Sequence, residues 1–238
     1  MKFKKLLAQF GSAKDSWQAA KSDLAKVLGE KLTEKFDIFR NKFSIEDYVN
    51  ELGKKDVSFI ILPDSNYPQL LKQIKNPPFL LYVKGDPSTL SERFGPSVAV
   101  VGTRRTTQYG REVTAILTQE LVASGFTIVS GLAIGVDAIS HKTAIENGGK
   151  TIAVLGCGVD YCYPTVNQHI YNSIVGSGLA KPDPAPQGCI VSEFPLGLRP
   201  TKGSFPARNR IIAGLSTAVL VTEGAEDSGS LITANYAI

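Results

Sequence analysis

The residues best suited to chemistry form a positively charged stretch in the last third of the sequence. Residues 194–222 contain no Asp or Glu. Their cations, with one aromatic ring among them, are Arg199, Lys202, Phe205, Arg208 and Arg210. Arg presents a planar fork of donors suited to phosphate oxygens, Lys supplies a point charge, and a ring offers a stacking face for a base. The combination is typical of a site for single-stranded nucleic acid.

The local sequence around these cations predicts a loop. Pro200, Gly203 and Pro206 disfavour regular structure, so we expect a helix to begin only near Asn209. A second interpretation stays open at this point. In it, Phe205 anchors the core and Arg210 serves as a cap or a salt-bridge residue.

Small residues end several predicted strands, at 102–105, 130–133, 156–158 and 223–224. In an open α/β sheet the carboxyl ends of the strands form the ligand crevice, where helix starts direct unpaired N–H groups. The turns therefore predict a crevice that attracts anions, although any one of them is also explained by a tight turn. The later segment with Ser228, Gly229 and Ser230 fits either a helix N-cap or a phosphate nest.

Catalytic and cofactor signals are weak. The GCGVD string lacks the third glycine of a dinucleotide fingerprint and follows a late strand, so no nicotinamide cofactor is expected. The two histidines and three cysteines lack the spacing of a metal site, and no metal is expected. Asp137 and His141 can pair on one helix face but have no nucleophile beside them. An enzyme would have to use Glu193 and Glu223, which each follow a strand.

The elements that position these residues alternate between strand and helix. Apolar runs such as SVAVVG, FTIVSG and TIAVLG are separated by amphipathic runs over 109–123 and 136–146. This alternation predicts an α/β fold, a Rossmann-like, doubly wound, mostly parallel sheet that begins with the run at Val57 and is extended by extra N-terminal strands. We expect a helical appendage over 1–52, the sheet domain over 53–238, and a surface insertion at the proline-rich segment 176–188.

Composition sets the class of protein. The chain has 238 residues, 43% of them hydrophobic, and a formal net charge of +4 at pH 7. These values exclude intrinsic disorder, and the charge alone names no partner. Three cysteines, the lack of a signal sequence and the lack of a membrane-length apolar run predict a soluble cytoplasmic protein with no membrane association.

Together these motifs resemble the DNA-processing protein A family, also called DprA or Smf. The matching strings, in the family's order from about residue 57, are DSNYPQLLKQIKNPPFLLYVKG, AVVGTRRTTQYG, TIVSGLAIGVDAISHKTAIENGGKTIAVLGCGVDYCYP, VSEFPLG, GSFPARNRIIAGLS and VTEGAEDSGSLITA. The helical N-terminal part is similar to the family's variable appendage only loosely. The family normally continues past the last string with a further strand, so the chain, which stops at Ile238, is expected to be truncated.

The resemblance implies a protein of natural transformation and recombination that makes and breaks no bond. It would bind single-stranded DNA without sequence preference, load the RecA recombinase onto strands covered by single-strand-binding protein, and form a homodimer. By the family's pattern, Arg104 and Lys202 hold phosphates and Phe205 stacks on a base. The further expected DNA-binding residues are Gly102, Arg105, Ser130, Gly131, Arg208 and Arg210.

Two other functions use the same crevice. One is a nucleotide-binding enzyme of the phosphoribohydrolase type, although the sequence has no PGGxGT string. The other is a sensor of a small nucleotide. Binding that requires an oligonucleotide rather than a mononucleotide would distinguish DNA binding from both of these functions.

Overall fold

The computed structural model describes residues 2–91, 95–177, 187–225 and 228–236. It divides the chain into two compact units, Met1–Glu51 and Leu52–Ile238. Among the described residues, no helix is long and apolar enough to cross a lipid bilayer.

The first unit is helical. Its helices are α1 (Lys2–Phe10), α2 (Ala13–Gln18), α3 (Lys21–Leu28), α4 (Glu30–Lys42) and the start of α5 (Ile45–Lys54). The Trp17 ring lies edge-on against the rings of Phe36 and Phe39, with centroids 5.6 and 6.2 Å apart. Arg40 also donates to the carbonyl of Trp17. The unit thus packs around an aromatic cluster.

The second unit is built on a seven-stranded sheet. Its strands are β1 (Val57–Ile61), β2 (Leu80–Gly85), β3 (Ser97–Val101), β4 (Thr127–Ser130), β5 (Thr151–Val154), β6 (Gly188–Ser192) and β7 (Ala218–Val221). The helices are α6 (Gln69–Gln73), α7 (Gln108–Ala123), α8 (Val136–Glu146), α9 (Gln168–Val175), α10 (Ser204–Gly214) and α11 (Gly229–Asn235). The sheet order is β1-β2-β6-β5-β4-β3-β7.

Strands β3 to β7 are mutually parallel, and this confirms the predicted Rossmann-like, mostly parallel sheet. The expectation that the parallel part begins at Val57 is wrong. β1 pairs antiparallel with β2, and β2 antiparallel with β6. Exposed Ser58 and Phe59 mark β1 as an edge strand, and antiparallel edge strands are a common addition to parallel sheets.

Both faces of the sheet are covered. In β3, Ala99 and Val101 belong to the core that includes Ile211 of α10, whereas Val98 and Val100 pack with α8. Alternate residues of a strand point to opposite faces, so this division shows helices on both sides. Most of the predicted insertion 176–188 falls on residues 178–186, which lie outside the described residues.

Helix α10 begins five residues before the predicted start near Asn209, at Ser204. Pro206 lies in the first turn, where a missing N–H costs no helical hydrogen bond. Thr201 and Ser204 hydrogen-bond each other at this start, with the Thr201 N–H donating to Ser204 Oγ at 3.0 Å. A proline that appeared to exclude the helix therefore belongs to it.

His141 lies wholly buried between α8 and β5. Its Nδ1 is 2.7 Å from the hydroxyl oxygen of Thr151, which donates its own proton to the Ile128 carbonyl. Nδ1 is therefore the donor, and Nε2 has no partner among the described residues. Burial, with a smaller contribution from Arg208, lowers the pKa of His141 to about 3.

We predict that His141 makes folding sensitive to acid. Its folded pKa lies below the unfolded value of about 6.5, so its stabilising effect is present at neutral pH and is lost as pH falls toward 3. Lowering the pH from 7.5 to 5.0 should reduce the contribution of His141 to the free energy of unfolding by about 2 kcal/mol. Urea denaturation at both pH values measures this.

The control is His141→Asn, whose side-chain amide can replace the Nδ1 donor without titrating. Asp137, whose raised pKa acts in the opposite direction, is common to both proteins and cancels in their difference. Equal pH dependence in the two proteins would contradict the assignment.

Candidate functional site

The loops that follow β3, β4 and β5 meet the starts of α10 and α11 at the carboxyl edge of the sheet. Together they enclose an open cleft of about 580 Å³. The residues lining it are Val101, Gly102, Arg104, Ala133, Asp137, Tyr163, Lys202, Phe205, Pro206, Arg208, Asn209, Ile212, Ser228, Gly229, Ser230, Ile232 and Thr233. The predicted crevice therefore exists, and several of the predicted binding residues line it.

Cations and aromatic rings lie side by side in the cleft. The Arg104 guanidinium carbon is 5.5 Å from the centroid of the Phe205 ring, and the Tyr163 ring lies 5.8 Å away on a tilt of 35°. Arg104, Lys202 and Tyr163 are exposed, and Phe205 is half-buried. None of the ion pairs between described residues involves Arg104 or Lys202. Both charges are thus available to an anion.

A smaller cavity of about 90 Å³ adjoins the cleft. It shares Arg104, Phe205 and Arg208 with the cleft and adds Gly131 and Pro164. The Phe205 ring therefore borders both the cleft and the smaller cavity.

Buried polar side chains fix the floor loop, residues 131–135. Asp137 Oδ2 accepts the N–H groups of Gly131 (3.1 Å) and Ala133 (3.3 Å). Arg208 donates to the Gly131 carbonyl at 2.6 Å and also to that of Val154. Asn167, from the next loop, donates to the Leu132 carbonyl at 2.9 Å. These bonds hold Leu132 at a φ of 59°, a left-handed conformation that a non-glycine residue seldom adopts.

Asp137 and Arg208 are buried charges of opposite sign, 6% and 5% exposed. Burial raises the pKa of Asp137, while Arg208 and the loop amides oppose the rise. Burial likewise lowers the pKa of Arg208, and Asp137 opposes that change. Each charge therefore compensates the other, and removal of either partner would leave an isolated charge in the core.

Two glycines allow the backbone to pack closely here. A Cβ on Gly131 would overlap the Arg208 guanidinium, and one on Gly102 would lie 2.6 Å from the Glu223 carbonyl oxygen. The Thr103 N–H donates to this same carbonyl at 2.7 Å. Side chains at either position would push apart the loops that form the cleft.

The structure separates the predicted DNA-binding residues into groups. Gly102, Arg104, Lys202 and Phe205 line the cleft together. Arg208 also lines it, but its guanidinium is committed to backbone carbonyls, which makes it a positioning residue.

Three predicted residues do not line the cleft or the small cavity. Ser130 is buried and donates to the Val100 carbonyl. The Arg105 side chain is exposed. Arg210 binds both carboxylate oxygens of Glu193, at 2.7 and 2.6 Å, so the salt-bridge interpretation is the one the structure supports.

Ser228 acts as the N-cap of α11, with its side chain accepting the Ser230 N–H at 3.3 Å. This geometry favours the cap over the phosphate nest. Gly229 and Ser230 nevertheless line the cleft beside it.

The carboxylates considered for catalysis are engaged elsewhere. Glu193 is paired with Arg210, and Glu223 accepts the Thr107 N–H at the start of α7. Asp137 and His141 bind different partners and do not form the expected pair. Within the described ranges, no group of three or more His, Cys, Asp or Glu side chains is arranged to hold a metal ion.

Tyr163, Asn167 and Asn209 were missed by the sequence analysis. The Asn209 amide bridges the cleft floor, accepting from Arg208 Nε at 3.1 Å and donating to the Gly229 carbonyl. The Tyr-Pro pair that ends the glycine-rich turn after β5 is the one available signal for Tyr163. Tyr163 carries no charge and belongs to no periodic pattern, so the sequence does not mark it as a site residue.

The chain matches the model of the family described as DNA recombination-mediator protein A over residues 58–238. It is 43% identical to Protein Smf of Synechocystis over 98% of this chain and 57% of the relative. It is 40% identical to DNA processing protein DprA of Bacillus subtilis over 78% of this chain and 58% of the relative. The chain thus spans somewhat under three fifths of the length of these two relatives.

The solved structures agree. The X-ray structure of DNA processing protein A from Streptococcus pneumoniae has a TM-score of 0.79 at 35% identity, covering 99% of this chain and 77% of that one. The protein from Helicobacter pylori, whose structure is described for its single-stranded DNA binding mode, has a TM-score of 0.65 at 35% identity, covering 76% and 75%. The chain belongs to the DNA recombination-mediator protein A family, whose members carry the names DprA and Smf.

Proposed function

We propose that the cleft binds single-stranded DNA without sequence preference. The observation that carries this proposal is the placement of two cations that join no ion pair between described residues, Arg104 and Lys202, beside the accessible rings of Phe205 and Tyr163. Phosphates and unstacked bases alternate along a single strand, and the cleft offers a complementary group to each. The relative from H. pylori, described for its single-stranded DNA binding mode, supports the proposal.

Arg104 has to move when DNA enters. In the free protein it lies over the Phe205 ring, a contact worth about 0.5–1 kcal/mol at an exposed site. A stacked base is worth about 1–3 kcal/mol, and the released guanidinium gains a charge-assisted bond to phosphate. The exchange therefore favours the bound state.

The polar groups of the cleft explain why no base is preferred. Reading a base edge requires free donors and acceptors, such as those of Asn, Gln, Asp or Glu. The Asn209 amide and the Asp137 carboxylate line the cleft but already bind protein groups. The main contacts in the proposed mode are phosphates held by Arg104 and Lys202 and bases stacked on Phe205 and Tyr163, and such contacts accept any base.

An enzymatic use of the cleft has weak support. A phosphoribohydrolase needs a carboxylate in the crevice, whereas Glu193 and Glu223 are held by Arg210 and by the start of α7. We therefore propose a binding protein that makes and breaks no bond and needs no metal or cofactor.

The wider role that we propose rests on family membership. The protein would load RecA recombinase onto strands covered by single-strand-binding protein during natural transformation and recombination. It would act in the cytoplasm as a homodimer in which two clefts share one strand, so that avidity raises the affinity. Formation of RecA filaments on coated DNA, with and without this protein, measures the role.

The binding test compares oligothymidylate, the same length of duplex, and a mononucleotide. The single strand should bind most tightly, because its bases are free to stack and it supplies several phosphates, and the mononucleotide should bind weakly. Fluorescence anisotropy at two salt concentrations measures this. Tight mononucleotide binding would instead indicate a nucleotide sensor.

Arg104→Ala and Lys202→Ala should each weaken single-strand binding. Each should reduce the slope of log affinity against log salt by about 0.7, the value for one phosphate on a single strand. Lys142→Ala, which removes an exposed cation of α8 paired with Glu146, is the matched control and should leave the slope unchanged. Wild-type slopes in both cleft variants would refute the phosphate contacts.

Phe205→Ala should cost about 1–3 kcal/mol of binding free energy, because a base loses its stacking face. Phe59→Ala, which removes a half-exposed ring from edge strand β1, is the matched control and should bind normally. The measurement is a titration accompanied by thermal denaturation. A Phe205 variant that binds normally when folded but melts early would show that the ring is a core anchor.

A further inference from the structure

A second pairing of a cation with an aromatic ring lies outside the cleft lining. The Arg199 guanidinium carbon is 5.9 Å from the centroid of the Tyr161 ring, close to the 5.5 Å between Arg104 and Phe205. Arg199 is exposed and Tyr161 partly exposed. None of the ion pairs found between described residues involves Arg199. The pair has the same two chemical groups as the cleft.

Hydrogen bonds between two loops hold this pair in place. The Gly158 N–H donates to the Leu198 carbonyl at 2.9 Å, and the Gly197 N–H donates to Asp160 Oδ1 at 3.0 Å. Lys55 binds the other Asp160 oxygen at 2.6 Å. Although burial opposes it, these hydrogen bonds lower the pKa of Asp160 and keep it charged. The loops are therefore fixed to each other before any ligand arrives.

The same two loops carry side chains of the cleft. Tyr161 is two residues from Tyr163, a span of at most about 7 Å between Cα atoms. Arg199 is three residues from Lys202. Both members of the second pair therefore lie within three residues, along the chain, of side chains that line the cleft.

We propose that Tyr161 and Arg199 form a second subsite on the same strand, stacking one base and contacting one phosphate next to the nucleotides in the cleft. The inference rests on the proposed binding of single-stranded DNA and extends it by lengthening the site. The ligand class is an unpaired polynucleotide, because the subsite would receive its nucleotide from the strand in the neighbouring cleft.

The test is affinity as a function of strand length. Oligothymidylates of about 4 to about 20 nucleotides are titrated against wild type, Tyr161→Ala and Arg199→Ala by fluorescence anisotropy. For long strands, loss of the ring should weaken binding about five- to hundredfold, the equivalent of one stacked base. The shortest strands that fill the cleft alone should lose less.

Arg199→Ala should also reduce the salt slope by about 0.7 on long strands, a change that a purely structural role would not produce. Lys142→Ala is again the charge control, and Tyr161→Phe, which keeps a stacking face, should restore binding. Because Arg199 is exposed, its variants decide the question even if Tyr161→Ala fails to fold.

Failure of the second subsite and failure of the proposed DNA binding give different results. If Arg104→Ala weakens binding while the Arg199 variants keep wild-type affinity and slope at every length, the second subsite is wrong and the cleft stands. If wild-type protein does not bind single strands, both proposals are wrong.

Discussion

A buried guanidinium holds the carboxyl edge of this sheet together. Arg208 of α10 donates to carbonyls at the ends of β4 and β5, while Asp137, its electrostatic partner, binds amides of the floor loop. Loss of Arg208 would leave two buried carbonyls without a donor, and each buried group left unsatisfied costs about 1–3 kcal/mol. The Arg208 bonds therefore fix helix α10, two strands and the floor loop relative to one another. These elements form the cleft, so its shape depends on those bonds.

Buried and exposed side chains have different roles in the site. Asp137, Asn167 and Arg208 use hydrogen bonds to fix backbone groups of the floor loop. Arg104 and Lys202 remain exposed, outside every ion pair between described residues. The floor is thus fixed in advance, and in the proposed binding mode the reorganisation is confined to exposed side chains such as Arg104.

Local patterns predicted much of the fold. The ranges expected for α7 and α8 agree with the structure to within a residue, since apolar periodicity and flanking glycines act locally. The direction of strand β1 and the hydrogen-bond partners of the arginines depend on residues that are distant in the sequence. Arg208 contacts a carbonyl 77 residues away, and Arg210 contacts a carboxylate 17 residues away. The composition therefore predicted a cluster of cations but could not show which of them are bound to other parts of the protein. Tyr163 becomes a site residue only through its proximity to Phe205.

In the proposed binding mode, an unpaired DNA strand lies across the Phe205 and Tyr163 rings. Photo-cross-linking tests it most directly, with 5-bromodeoxyuridine placed in an oligonucleotide and the modified residues mapped by mass spectrometry. Cross-links at Phe205 or Tyr163 are the expected result. Cross-links confined to the opposite end of the strands, at residues 125–127 or 147–150, with the cleft unmodified, would contradict it.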